Sequence, residues 1–228
     1  MSETVRHWPL DRYHAGVRLA SLVWWAAVTA GLFFGGVGLA QWVAGEAANW
    51  LWLPWLIVCL LASQPLGRWG ERVLQARWPS GRSLEAQGAR LVLREPAGAQ
   101  TFDLTQKVNY WRWCFQVRER RGGRVPNGYR CYALRLIQAV GAVEAGACVY
   151  AFLPPAAAEA VNGRYAFYEL RRPQEPPLAA GVLGGRDPAF LAVEKLRWEM
   201  GAELEPADFQ LLLEHLAARL PDFAGHLS

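Results

Sequence analysis

The chain has 228 residues, a formal net charge of +4, 53% hydrophobic residues and 19% charged residues. Its mean hydropathy of +0.03 averages over two unlike regions, because roughly the first 70 residues are strongly apolar and the rest has the mixed composition of a soluble domain. The basic balance comes partly from arginines beside the apolar runs, as membrane orientation requires. Since no nucleic-acid recognition motif occurs, we expect no nucleic-acid partner.

Two long uncharged runs follow a polar N-terminal segment, residues 1–18. They cover residues 19–45 and 47–67, and each reaches the roughly 20 apolar residues that cross about 30 Å of hydrocarbon. A second run so close behind the first is not typical of a cleaved signal peptide. The sequence therefore predicts a two-helix transmembrane hairpin over residues 19–67.

The basic residues predict how this hairpin is oriented. The loop between the runs contains Glu46 but no lysine or arginine. Arginines flank the hairpin on both sides: Arg6, Arg12, Arg18, Arg68, Arg72 and Arg77. By the positive-inside rule, both termini lie in the cytoplasm. We expect a two-pass protein of the bacterial inner (cytoplasmic) membrane.

Glycines in the first run mark a candidate helix-packing face. Gly31 and Gly35 have GxxxG spacing, and Gly38 follows; small residues of this kind let helix backbones approach closely in lipid. We favour the interpretation that the two spans use this face on each other. The alternative is that a helix of a partner protein docks there. Neither run contains an ionisable residue, which argues against a proton or ion path.

The residues after the second run have the pattern of an interfacial connector. Residues 68–80 place Trp69 and Val73 on one helical face and Arg68 and Arg72 elsewhere, which is typical of an amphipathic helix at the headgroup level. The alternative is that the membrane helix continues into the cytoplasm. Pro79 is expected to end the helix.

Short alternating segments predict an antiparallel β domain over residues 81–172. Residues 84–86 and 91–94 would pair across a turn at Gly88, and further strands are expected near residues 102–117, 129–137 and 147–153. The long run contains a change of phase, as a bulge or break causes. A short helix is expected over residues 156–161.

The C-terminal part reads as a linker followed by helices. Residues 173–186 are rich in proline and glycine, and residues 187–228 contain two helical stripes, beginning near Pro188 and Pro206. The sequence leaves open whether this tail joins the strand domain or forms a separate partner-binding piece.

In order of parts, the chain resembles bacterial membrane proteins that carry a pleckstrin-homology-like domain. The segments that carry the resemblance are SLEAQGARLVLRE, QTFDLTQKVNYWRW, YRCYALRLIQ and ACVYAFLPP, within residues 81–161, together with the hairpin. The resemblance implies a membrane-anchored α+β protein in which an antiparallel PH-like domain is followed by C-terminal helices. It implies scaffolding or regulation more than catalysis.

Cysteines and histidines give only a weak metal signal. Cys114, Cys131 and Cys148 are evenly spaced in predicted strands. Pairing of adjacent strands could bring neighbouring thiols together, and thiols held in this way can bind a metal ion. Without a CxxC pair or a nearby histidine, we prefer buried reduced thiols. His215 is interpreted as a surface residue. We therefore expect no metal and no cofactor.

The densest charge cluster lies at the end of a predicted strand and in the loop after it. Its arginines are candidates for contact with anionic lipid headgroups or with an acidic partner: Arg118, Arg120, Arg121, Arg124 and Arg130. The alternative is a solvated loop.

No GxSxG, HExxH, P-loop or GxGxxG motif occurs in a suitable context. We therefore expect a non-enzymatic accessory or scaffold subunit of a larger inner-membrane complex, with other membrane-protein subunits and lipids as partners. The alternatives are a membrane-anchored lipid-sensing or regulatory domain and an enzyme whose site has no recognised motif.

Overall fold

A computed structural model describes residues 5–45, 52–117, 125–140, 143–170 and 188–224. The expected loop at Glu46 and the linker 173–186 lie outside these residues. The chain divides into two compact units. One unit is Arg12–Ser80, and the other combines Met1–Asp11 with Gly81–Ser228.

The first unit contains helices α1, Ala15–Ala44, and α2, Trp52–Arg77. Among the described residues, one helical segment, Ala15–Val43, is long and apolar enough to cross a membrane. The described uncharged part of α2 spans only residues 52–67, which is shorter than the roughly 20 residues that a span needs.

Helix α2 corrects the expected connector. It runs without a break from Trp52 to Arg77 and includes Pro65, so residues 68–77 are its continuation and not a separate interfacial helix. The residues from Arg68 to Arg77 contain no proline, and the helix ends just before Pro79, which cannot donate a backbone hydrogen bond.

An antiparallel four-stranded sheet opens the second unit. Its strands are β1, Arg6–Pro9, β2, Ser83–Gln87, β3, Arg90–Glu95, and β4, Gly98–Asp103, paired in that order. The predicted pairing across Gly88 is confirmed, with Ala86 opposite Leu91. Strand β1 was not predicted, because four residues paired with a segment far along the chain leave no local pattern. Residues 6–11 therefore belong to the second unit and not to a separate N-terminal segment.

The second sheet has five strands in the order β8-β5-β6-β7-β9. The long strands are β5, Asn109–Gln116, β6, Arg130–Val140, and β7, Val143–Leu153, all antiparallel. The short strands β8, Tyr168–Glu169, and β9, Gly201–Glu203, run parallel to β5 and β7. The sheet is therefore mixed: its three long strands pair antiparallel as predicted, and the two short edge strands add parallel pairs that the sequence analysis did not predict.

Three further helices complete this unit: α3, Pro155–Asn162, α4, Pro188–Met200, and α5, Pro206–Ala217. The predicted stripe of α5 is buried in the main core with the inner faces of both sheets, through Phe209, Leu212, Leu213 and Leu216. Together with β9, this burial makes residues 188–223 part of the strand unit. The chain is therefore α+β, with an N-terminal apolar helix and one antiparallel and one mixed sheet.

An ionic network closes the second unit where its two chain segments meet. Arg82 donates hydrogen bonds to Asp11 Oδ2 at 2.6 Å and to Glu95, while Asp11 Oδ1 accepts the backbone N–H of Glu203 at 2.8 Å. Burial lowers the pKa of Arg82, but the two carboxylates outweigh this effect and raise it above its ordinary value. The network thus joins the N-terminal segment to β2, β3 and β9.

We predict that Asp11→Ala destabilises the chain by about 2 kcal/mol, because it leaves Arg82 without one carboxylate and the Glu203 N–H without its acceptor. Asp11 also has a φ of 50°, which asparagine tolerates better than alanine. Thermal unfolding of the full chain in mild detergent, followed by near-UV circular dichroism, should show a lower Tm for Asp11→Ala. Asp11→Asn should lose about half as much, and equal losses would contradict the backbone part of the argument.

Candidate functional site

Tryptophan rings packed on glycines hold α1 and α2 together. Trp24 lies over Gly70, and Trp25 lies over Gly67, so that a Cβ at either glycine would overlap an indole ring. The Trp24 Nε1–H also donates to the carbonyl oxygen of Leu66 at 3.1 Å. These contacts set the antiparallel register of the two helices.

A second contact of the same kind lies near the other end of the pair. Trp55 packs over Gly36, and its Nε1–H donates to the carbonyl oxygen of Leu32 at 3.2 Å. At the opposite end, the His14 ring bonds the carbonyl oxygen of Trp78 at 3.0 Å. The two helices therefore pack side by side over the segment of α1 from His14 to Gly36, which faces the segment of α2 from Trp55 toward Trp78.

This register places the first charges of the two helices at different levels. Arg68 lies in the turn of α2 that faces Trp24, whereas Arg18 lies six residues earlier on α1. The stretch without charge on either helix therefore begins at the level of Trp24. From Trp24 to Gly45 an α-helix rises about 32 Å, which is close to the roughly 30 Å thickness of a hydrocarbon core.

The glycine face chosen from the sequence is uncovered. Nothing lies within 4 Å of a Cβ built at Gly31, Gly35 or Gly38. The favoured interpretation, that the two helices use this face on each other, is therefore wrong. The contact between the helices uses three other glycines. Gly36 of α1 lies under Trp55, and Gly67 and Gly70 of α2 lie under Trp25 and Trp24. They had no motif that would have singled them out.

An apolar cleft of about 660 Å³ lies between the helices toward Gly45. Trp52, Trp55 and Val58 of α2 face Val37 and Ala40 of α1 across it, and Gln41 is its polar side chain. A lining of this kind suits hydrocarbon or an apolar side chain rather than a reacting polar group.

Arg130 is the one member of the basic cluster within the described residues; Arg118, Arg120, Arg121 and Arg124 lie outside them. Its guanidinium pairs with Glu169 of β8 at 3.4 Å, and its charge partly offsets the effect of burial on the pKa values of Cys114 and Tyr132. Arg130 thus links β6 to β8, and this binding inside the fold weakens its candidacy for a headgroup or partner contact.

The strand cysteines are buried, but they do not form one cluster. Cys114 belongs to the main core, whereas Cys131 and Cys148 lie on the other face of the second sheet. Cys148 of β7 pairs with Arg135 of β6, four residues from Cys131. The two thiols therefore do not lie opposite each other on neighbouring strands. Burial raises the pKa of Cys114 to about 11 and that of Cys148 to about 12, so both thiols are protonated near neutral pH.

The described residues contain no group of three or more His, Cys, Asp or Glu side chains that could hold a metal ion. Arg112, which the sequence placed among aromatic side chains, is 5% exposed. It stacks over Phe223 at 4.8 Å and donates to the Phe223 carbonyl. Arg112 and its aromatic neighbours therefore form part of the core.

His215 is buried, so its interpretation as a surface residue is wrong. It lies on α5 with 7% exposure and meets the Trp8 ring edge-on at 6.2 Å. Burial, helped by Arg219 and Arg6, lowers its pKa from 6.5 to about 4. The stripe of leucines on α5 predicted the buried face of that helix, but no local pattern indicated that the histidine borders it.

We predict that His215 makes stability depend on pH. Above about pH 6.5 the residue is neutral in both states and contributes no pH dependence. As the pH falls from about 6.5 to about 4, the unfolded chain takes up a proton that the folded chain does not, and the free energy of unfolding falls by about 3 kcal/mol. Denaturant unfolding at several pH values should show this fall. His215→Leu should remove it and the exposed-site control His7→Leu should not; an unchanged slope in His215→Leu would refute the assignment.

We also predict that Gly70→Leu separates or distorts the helix pair, because its side chain would displace the Trp24 ring. The expected loss of stability is about 2–3 kcal/mol. The matched variant Gly38→Leu places the same side chain in open space and should change little. The near-UV circular dichroism of the tryptophans during thermal unfolding measures both, and equal effects would argue against the packing described.

Comparison of the chain with family models, with curated proteins and with solved structures gives no match.

Proposed function

We propose that this chain is a non-enzymatic accessory or scaffold subunit of a larger inner-membrane complex, anchored by α1 and α2 with both termini in the cytoplasm. The observation that carries the proposal is the uncovered glycine face of α1, formed by Gly31, Gly35 and Gly38. The second unit would be its cytoplasmic interaction domain. In this proposal, that domain is PH-like.

The uncharged length supports a membrane crossing by both helices. The register of the pair leaves about 32 Å without charge between the level of Trp24 and Gly45, and residues 47–67 of the sequence supply an uncharged run for the return. Exposed tryptophans lie near the ends of this stretch, as in an interfacial aromatic belt: Trp42, Trp52 and Trp69.

The glycine face supports a partner helix. Helices in lipid associate through close packing, since lipid tails offer no hydrophobic drive, and small residues allow that approach. On α1 the contacts with α2 use Trp24, Trp25 and Gly36, so that Gly31 and Gly35 remain for another helix. Phe34 and Leu39, 71% and 63% exposed, would pack beside them.

Exposed aromatic side chains support a protein partner for the second unit. Trp198 of α4 is 74% exposed, Tyr168 is 57% exposed and Trp111 of β5 is 46% exposed. Tryptophan and tyrosine are enriched where proteins bind proteins. The alternative, a lipid-sensing domain that uses the basic cluster, is less supported because Arg130 forms an ion pair with Glu169 within the fold.

The test is purification of the full tagged chain from alkaline-washed membranes in mild detergent, followed by mass spectrometry of the proteins that accompany it. We expect the chain to resist the alkaline wash and to bring membrane proteins with it in fixed ratio. Gly31→Leu/Gly35→Leu should release those proteins, since leucine would hold a partner helix away. A variant with leucines at Ala26 and Ala30, two exposed alanines of α1 outside the glycine face, serves as the control on the same helix.

Release of the chain by the alkaline wash would refute the anchor. Retention in the membrane with no accompanying protein would refute the subunit role and would favour the lipid-sensing alternative.

A further inference from the structure

We propose that α2 carries a binding site for one anionic phospholipid, on a stripe formed by Ile57, Leu61, Pro65, Arg68 and Arg72. The inference rests on the proposed membrane crossing. It adds a ligand class that the proposed subunit role does not require.

The stripe follows one side of α2, because its members are three or four residues apart and such residues share a helical face. All five side chains are exposed, and Ile57 and Leu61 are 55% and 68% exposed. The face that α2 turns to α1 is a different one, which contains Gly67 and Gly70 under the tryptophan rings. The α2 stripe is therefore not covered by α1.

The sequence of side chains along the stripe matches a phospholipid. From Ile57 to Arg68 the helix rises about 16 Å, which is about the depth of one leaflet of a 30 Å hydrocarbon core. This part is apolar and suits an acyl chain. Arg68 and Arg72 then come at the level where the register places the end of the uncharged stretch, and where a headgroup phosphate would lie.

Charge favours an anionic lipid over a zwitterionic one. Helix α2 contains a single acidic residue, Glu71, and its carboxylate accepts a hydrogen bond from Gln75 at 3.1 Å. Within the described parts of the chain, neither Arg68 nor Arg72 forms an ion pair with a carboxylate. Two guanidinium groups one turn apart bind phosphate oxygens well, and with Glu71 as the single acidic residue of α2 beside them the local charge stays positive. Trp69, 58% exposed beside Arg68, suits the interfacial layer.

The test uses the full-length chain in detergent micelles that contain equal amounts of phosphatidylglycerol and phosphatidylcholine, with native mass spectrometry of the lipid it retains. We expect the wild type to retain phosphatidylglycerol preferentially. In Arg68→Gln/Arg72→Gln the preference should fall about twentyfold to thirtyfold, which corresponds to about 1 kcal/mol per arginine. Arg68→Lys/Arg72→Lys should keep most of it.

The matched control is Arg77→Gln/Arg90→Gln, which removes the same charge. Arg77 lies nine residues beyond Arg68, on the opposite side of α2, and Arg90 is an exposed residue of β3. The control should keep the preference.

No preference in the wild type, or the same preference in Arg68→Gln/Arg72→Gln, overturns the proposal. So does an equal loss in the control, because it would show an effect of net charge alone. A co-purified protein that occupies the stripe, with no lipid retained there, would also overturn the proposal. The alkaline wash separates this outcome from failure of the anchor: a chain that resists the wash but shows no lipid preference retains its proposed function and lacks only the lipid site.

Discussion

The second unit depends on closing a chain that is interrupted by the whole helix pair. Residues 12–80 separate its first segment from its second, and bringing the ends of a flexible loop of this length together costs about 4 kcal/mol of entropy by loop-closure scaling. Burial of Trp8 and Leu10, and the Asp11–Arg82–Glu95 network, offset that cost. The helix pair lowers it further, since the His14–Trp78 contact holds its own two ends together.

The contact between the helices follows a different physical rule from the one that the sequence motif suggests. GxxxG packing brings two backbones together over small residues, but here glycines make room for indole rings from the opposite helix. An indole fills the space, and its N–H finds a backbone carbonyl oxygen, as with Trp24 and Leu66 or Trp55 and Leu32. This arrangement satisfies the polar atom of tryptophan inside an apolar contact. Because large side chains meet small ones here, Gly31 and Gly35 are not needed.

The sequence predicted what is encoded locally and missed what depends on distant pairing. The β2–β3 hairpin, the helix start at Pro206 and the buried stripe of α5 follow from turn residues and apolar periodicity, and the structure contains them. Strands β1, β8 and β9 are two to four residues long, and their neighbours in the sheets come from far along the chain. Similarly, the burial of His215 depends on Trp8, over 200 residues earlier.

The ionisable groups buried in the second unit and the uncovered surfaces of the helix pair differ in what they can bind. In the described residues of the second unit, four buried groups are held in inert states: the thiols of Cys114 and Cys148 stay protonated, His215 stays neutral and Arg112 is stacked on Phe223. General acid–base chemistry near neutral pH requires a group whose pKa lies near the working pH and that can reach a substrate, and these groups meet neither condition. Among the described residues, the helix pair carries three features that are not covered from within the chain. They are the glycine face of α1, the apolar cleft and the arginines of α2, and each is suited to a hydrophobic or interfacial ligand. Under the proposed function, such a chain would recognise its partners chiefly through the helix pair, with the folded second unit adding contacts through exposed aromatic side chains such as Trp198.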